Sequence, residues 1–365
     1  MQRLRYVFSA LFIFATAAFA DAPAHYDIIA RLNDAPGNVT VAENGRIFMS
    51  LHQFYDPKYS VAELLPNGTL APFPNQALND RVSNGGLKLD SVLGIRADGN
   101  GIVWMLDNGL RSGVMPKLVG WSIRSNSLYR AIFLPEPLAP KDAFVNDFAL
   151  DLRHNHAFIS DPAGGADAAL IVVDLTTGKG RRVLQGHRYV LPEAIDLLID
   201  GRPVQVKDPA GNLVRPRVGV NPITEDAQNE WVYFGAMHGR SLYRVRAADL
   251  VDAALSEAAL GQRVERYSDK PISDGISIDR DNNIYLGELA ENAIGVITPD
   301  RKYRRLAQSA DLSWVDSFSF GPRGALYAVV NRLHGSAMLN GGERSSRPPY
   351  FLLRVQSLAE GVPGR

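Results

Sequence analysis

The stretch Asp274-Gly275-Ile276-Ser277-Ile278, then the turn Asp281-Asn282-Asn283, then Ile284-Tyr285-Leu286 decides the fold. Apolar residues alternate up to a polar turn, and a β-rich segment returns; that is the pattern of an antiparallel hairpin. The same phrase opens at five other places: Gly37-Asn38-Val39-Thr40-Val41, Ser91-Val92-Leu93-Gly94-Ile95, Asn146-Asp147-Phe148-Ala149-Leu150, Asn221-Pro222-Ile223-Thr224-Glu225 and Asp316-Ser317-Phe318-Ser319-Phe320. Each is followed by a turn and a short return strand, such as Val103-Trp104-Met105, Ala157-Phe158-Ile159 or Val232-Tyr233-Phe234. The phrase starts lie 54, 55, 75, 53 and 42 residues apart. Six like hairpins at this period predict an all-β chain, a six-bladed β-propeller with four-stranded blades. A β-sandwich gives no reason for six hairpins in one register. The gap from Asn146 to Asn221 is longer than its neighbours by roughly twenty residues, which places an insertion at about 186–217. Ala247 to Leu260, rich in Ala, Leu and Glu, predicts a helix between blades. Tyr26–Leu32 and Tyr350–Val355 both read as strands, one completing the blade of the other and so removing exposed edges.

Composition agrees with one folded, turn-rich domain over 21–365. The chain has 365 residues, 46% of them hydrophobic, with 32 glycines and 22 prolines. Thirty-nine basic residues balance 39 acidic ones, which argues against a protein built to coat nucleic acid or an anionic membrane. The short basic run at Arg301–Arg305 reads as a solvated edge. There is no cysteine, hence no disulfide, thiolate metal site or cysteine nucleophile. Residues 1–20 read as a signal peptide: Arg3 and Arg5, a short apolar run, then Ala18-Phe19-Ala20 before the cut. The expected location is therefore secreted or periplasmic. The expected state is a monomer that meets a small molecule and, once the signal is removed, neither membrane nor nucleic acid.

The repeat also gathers polar residues. In an antiparallel hairpin the start of the first strand lies beside the end of the second. One column is thus Gly37, Ser91, Asn146, Asn221, Asp274 and Asp316, and the other is His52, Asp107, Asp161, His238, Glu288 and Asn331. Both face one mouth of the central channel, a concave polar site on a rigid frame. Oxygen donors without thiols suit a hard cation such as calcium, with Asn146, Asn221 and Asp274 as candidate ligands. Asp274, Asp316 and Glu288 are the candidate catalytic carboxylates. Turn chemistry alone also explains Asp, Asn and Ser before strands. Asp147 reads as a turn cap, and Glu225 occupies a slot that is apolar in the other five repeats. The pair His154/His156 falls in a turn at the opposite mouth. There is no G-x-S-x-G, no H-E-x-x-H and no phosphate-binding glycine loop, and no organic cofactor is expected.

Several segments resemble the major royal jelly protein/yellow family in its bacterial branch. They are Gly37-Asn38 through Ser50-Leu51-His52-Gln53-Phe54, Glu63 to Gly68, Ala149-Leu150-Asp151 to Ser160-Asp161, Tyr233 to Arg244, Glu291-Asn292-Ala293 and Asn331-Arg332-Leu333. The resemblance implies a six-bladed propeller, secretion, and a channel that in some insect relatives holds small aromatic amines; insect members are also linked to dopachrome conversion. The family's paired cysteines are missing here. A more distant likeness is to the gluconolactonase/senescence-marker propellers, whose calcium is held by a Glu, two Asn and an Asp. Asn146, Asn221 and Asp274 fall on the two Asn and the Asp, while Gly37 stands at the Glu. Two functions follow as expectations: an exported protein that binds a small cyclic or aromatic molecule in its channel, or a metal-dependent lactonase-like hydrolase or dopachrome-type tautomerase at the same place.

Overall fold

The computed structural model describes residues 26–80, 86–163 and 165–365. Residues 1–20, read above as a signal peptide, lie outside them. Six four-stranded antiparallel sheets stand around a channel. From the channel outwards, blade one is Pro36–Val41, Ile47–Leu51, Val61–Leu64 and Leu70–Pro72, and blade two is Val92–Ala97, Ile102–Asp107, Lys117–Ser122 and Ser127–Phe133. Blade three is Phe148–Asp151, His156–Asp161, Ala169–Asp174 and Gly180–Val183; blade four is Val220–Glu225, Trp231–Ala236, Ser241–Arg246 and Glu265–Asp269. Blade five is Ile276–Ile278, Ile284–Glu288, Ala293–Ile297 and Tyr303–Gln308. Blade six is Val315–Phe320, Leu326–Val330 and Tyr350–Val355, with Tyr26–Leu32 as its outermost strand. The first strand thus pairs with the last, Tyr26 opposite Val355 and Leu32 opposite Tyr350, and the ring closes.

The polar turns that the repeat announces have a definite chemistry. Asn155, Asn229 and Asn282 all take positive φ, a conformation asparagine tolerates better than most residues. An aspartate ahead of the turn holds it: Asp279 accepts from the Asp281 and Asn283 amides at 3.0 and 2.9 Å, and the Tyr285 hydroxyl donates to it at 2.8 Å. Asp98 plays the same part in blade two, where its donor from the return strand is the Trp104 indole at 3.0 Å. Facing blades bury their apolar faces between them. Phe318, Phe320 and Leu353 of blade six share one buried cluster with Ile294 and Val296 of blade five.

The insertion between blades three and four is two small hairpins, Leu198–Ile199 with Arg202–Pro203 and Val206–Lys207 with Leu213–Val214. It crosses the channel mouth as a strap. Asn292 of blade five donates to Asp200 at 2.8 Å, and Gln205 exchanges backbone hydrogen bonds with Leu339 and Gly341 in the long loop of blade six. The expected helix over 247–260 is two short ones, Ala247–Val251 and Glu257–Arg263. The break follows from side chains that compete for backbone amides: Asp252 accepts from Ala254 at 2.9 Å, and Ser256 caps the second helix on Ala259 at 3.2 Å. No helix among the described residues is long and apolar enough to cross a membrane.

Leu353 is fully buried in the sheet that closes the ring. Leu353→Ala should cost about 2–5 kcal/mol, read from urea denaturation, and should lower the single transition without adding a second.

Candidate functional site

The near mouth of the channel opens into a cavity of about 350 Å³. Its walls are mainly apolar: Phe54, Leu93, Phe144 and Met237 from the blades, Leu197 and Val204 from the strap. Its acids lie on one side. Blades three to six supply Asn146, Asn221, Asp274 and Asp316, while blades one and two offer Gly37, Asn38, His52 and Leu93. The polar half is a chain of hydrogen bonds that runs from blade to blade. The Asn146 amide donates to Asn221, and Asn221 donates to Asp274 Oδ1 at 2.6 Å. The indole Nε1 of Trp314 in blade six donates to Asp274 Oδ2 at 2.8 Å.

Trp314 is buried with φ of 61°. A bulky residue in the left-handed region is a backbone outlier, held there by its surroundings. Its ring stacks on His334 at 6.1 Å between centroids. Asp316, two residues on, accepts from Asn331, which also donates to the Pro36 carbonyl at 2.9 Å. Beside them Asp147 is neutralised by Arg96, whose guanidinium lies 2.9 Å away and also reaches Asn38. Asp147 is thus half of a buried ion pair as well as a cap for the Phe148 amide.

Burial decides the charge state of the floor. It pushes the Asp274 carboxyl up to about 6 against the opposing hydrogen bonds of Trp314 and Asn221. Asp316 is raised well above the usual carboxylate range, by burial first and by the adjacent Asp274 second. Two carboxyls this close cannot both ionise cheaply, so the pair titrates as a unit. Burial also takes His52 down to about 3 and His238 down to about 4, which leaves both imidazoles neutral at pH 7. Neither Asp274 nor Asp316 forms an ion pair among the described residues.

Gly37, Asn146, Asn221, Asp274, Asp316, His52 and His238 line the cavity. Ser91, Asp107, Asp161, Glu288 and Asn331 do not; the first four are committed elsewhere, and Asn331 is held by Asp316 and the Pro36 carbonyl. Asp107 holds Lys117 at 2.8 Å and the Ser91 amide at 2.9 Å. The Ser91 hydroxyl donates to Asp90 at 2.8 Å. Asp161 holds Arg182 at 2.7 Å and the Phe144 amide at 2.8 Å. Glu288 takes Arg305 and the Tyr303 hydroxyl, both at 2.7 Å. His154 pairs with Asp151 at 2.6 Å in the turn at the far mouth. Trp314, Phe54 and Phe144 were not among the sequence-derived candidates, because they stand outside the two repeat columns. The one available signal was for Trp314, a large aromatic two residues before Asp316.

The donor set fits calcium poorly. Asn146, Asn221 and Asp274 do meet, but both Asp274 oxygens and the Asn221 oxygen already accept N–H groups. Calcium takes six to eight oxygens. Gly37 supplies none from its side chain, and a Cβ there would stand 3.1 Å from Ser50 Oγ. Among the described residues, no three His, Asp or Glu side chains form a metal-ligating group.

The family model for major royal jelly protein matches residues 90–356, more than half of the chain. The chain belongs to that family. No curated relative matches it by sequence. Among solved structures it is similar to a calcium-binding regucalcin from Agrobacterium tumefaciens, at 14% identity over 93% of this chain and 98% of the other, TM-score 0.55. A luciferin-regenerating enzyme gives 12% over 93% and 98%, TM-score 0.57, and a gluconolactonase from Xanthomonas campestris 10% over 93% and 92%, TM-score 0.55. At these identities the likeness is one of fold.

An acid whose pKa is raised by folding favours the protonated native state. Its stabilising effect is present below the unfolded value and is lost as pH rises through the folded one. Wild type should therefore lose stability relative to Asp316→Asn between about pH 4.5 and about pH 7.5, because the variant has one acid fewer to ionise. Melting temperatures of the two proteins at both pH values check this, and the buried histidines cancel in the difference.

Proposed function

We propose that this royal-jelly-family propeller binds a small cyclic or aromatic molecule in the near-mouth cavity, with a protonated or N–H-bearing end against Asp274 and Asp316. The observation that carries the reading is an acidic pair without an ion-pair partner among the described residues, set at the floor of a largely apolar cup. An apolar wall with a few convergent polar groups is the usual form of a small-molecule site. At neutral pH the pair carries less than its full charge, so the floor suits one positive or donating group. The Trp314 indole and Asn221 amide fix the Asp274 carboxylate in place, so little ordering is left for the ligand to impose.

A second reading, a metal-assisted lactonase-like hydrolase or a tautomerase, draws on the meeting of Asn146, Asn221 and Asp274. For it, calcium would have to displace the Trp314 N–H from Asp274. The two readings separate on one panel of aromatic amines, catechols and lactones, followed by Trp fluorescence and by turnover with and without chelator. Asp274→Asn should weaken binding at least about tenfold. Unchanged affinity in that variant overturns the binding reading, and chelator-sensitive turnover favours the second.

We also propose export with cleavage after Ala20, on the pattern Arg3, Arg5 and Ala18-Phe19-Ala20. The mature protein should then begin at Asp21 on N-terminal sequencing; a soluble protein that keeps Met1 contradicts it.

A further inference from the structure

Glu225 is the residue that the repeat leaves unexplained. In its slot the other blades carry Val41, Ile95, Leu150, Ile278 and Phe320. It sits at the far mouth of the channel, 1% exposed. One of its oxygens accepts from the Asn229 amide at 2.6 Å, and the other has no hydrogen-bond partner among the described residues. Asp151 and Asp226 are buried close by. Such a cluster of acids away from water is costly unless a cation meets it.

The cation comes from the tail. After blade six the chain turns under the far mouth and touches every blade. The Leu358 amide donates to Tyr285 at 2.7 Å, and Glu360 accepts from the Arg280 amide at 2.8 Å, both in blade five. Thr40 of blade one donates to the Gly364 carbonyl at 2.9 Å. Gly364 has φ of 89°, and a Cβ on it would stand 2.0 Å from the Ala97 carbonyl of blade two, so only glycine passes there. The Arg365 main-chain oxygen accepts from the Phe320 amide of blade six at 2.6 Å. Its guanidinium lies on the other side of the ring. It donates to the Asp226 carbonyl at 2.7 Å and to Asn229 Oδ1 at 3.2 Å in blade four, and to the Leu150 carbonyl at 3.4 Å in blade three. Blades three and six are opposite in a six-membered ring, so this side chain crosses the channel axis.

We propose that the far mouth is a guanidinium receptor built around Glu225, and that Arg365 is its tethered ligand, a stopper that a free guanidinium compound can replace. The planar fork of a guanidinium matches three acceptors spread over two blades, which an ammonium on a flexible stem does not. Burial pulls the Arg365 guanidinium below its ordinary pKa, and Glu225, Asp151 and Asp226 oppose that shift without direct contact. The stopper makes the near mouth the route by which a cup ligand enters and leaves. This site shares no residue with the cup, and the proposal stands or falls independently of it.

The probe is L-argininamide, with lysinamide as the control. Arg365→Ala should melt below wild type, and argininamide should restore its melting temperature in a saturable way, as a ligand specific to the native state does. Wild type, already filled, should not respond, nor should the Arg365→Ala/Glu225→Gln double variant. Asp274→Asn should behave as wild type in this assay. An equal response of wild type and Arg365→Ala, or rescue by lysinamide to the same extent, overturns the proposal; so does no response in either. If Arg365→Ala does not fold, refolding it with each compound carries the test. Recovery with argininamide alone supports the receptor, and recovery with both or with neither overturns it.

Discussion

Ring closure is the constraint on which everything else depends. Asn146, Asn221, Asp274 and Trp314 come from four successive blades, and none touches another through its own sheet. They meet because the angular position of each blade is fixed by its two neighbours. That fixing needs the strand Tyr26–Leu32 to complete the sheet that ends the chain. Pairing residues so far apart in sequence costs loop-closure entropy, but the cost grows only slowly with length. What closure returns is buried apolar area between blades six and one, where Leu32, Val329 and Leu352 share a cluster with Val39, Val41 and Met49, and a partner on both sides for the strand Tyr350–Val355. A hydrogen bond such as Asn221 to Asp274 is therefore a property of the whole ring.

The repeat made the architecture legible because a propeller blade declares itself locally. Alternation, an aspartate or asparagine turn and a β-rich return strand are all encoded within about fifteen residues. The register of the strand-start column was legible for the same reason, and it leads to the cavity in blades one, three, four, five and six. The strand-end column was less informative. Its members are chemically alike in sequence but differ in their cross-strand partners. Asp107 stands directly opposite Lys117 in the register, Asp161 meets Arg182 two strands away, and Glu288 meets Arg305 two strands away. In those blades the acid is neutralised inside its own sheet. Blades one and four carry His52 and His238 at that position, with no such base, and there the side chain lines the cavity. The strand-end position thus serves either the sheet or the channel, and the residue facing it on the outer strands decides which. Strap residues Leu197 and Val204 could not be reached in this way, since an insertion has no register to borrow.

The two mouths solve one electrostatic problem in opposite ways. Each gathers buried carboxylates against the channel wall, where a lone ionised group is expensive. At the far mouth Glu225, Asp151 and Asp226 are met by a cation from the same chain, carried across the axis by Arg365. At the near mouth one acid, Asp147, is met in the same spirit by Arg96. Burial raises the carboxyl pKa at both mouths, at Asp147, Glu225 and Asp226 as at Asp274 and Asp316, but the last two have no ion-pair partner among the described residues. A protein selected only for stability would fill such a position with an apolar residue or supply an internal base, as it does at Asp107, Asp161 and Asp147. The floor of the cup keeps its acids instead. It also holds Trp314 in a strained backbone conformation in order to aim an N–H at one of them. Strain and unpaired charge at the same few atoms, inside a ring that balances its charges elsewhere, mark where this fold gives up stability to remain open to something from outside.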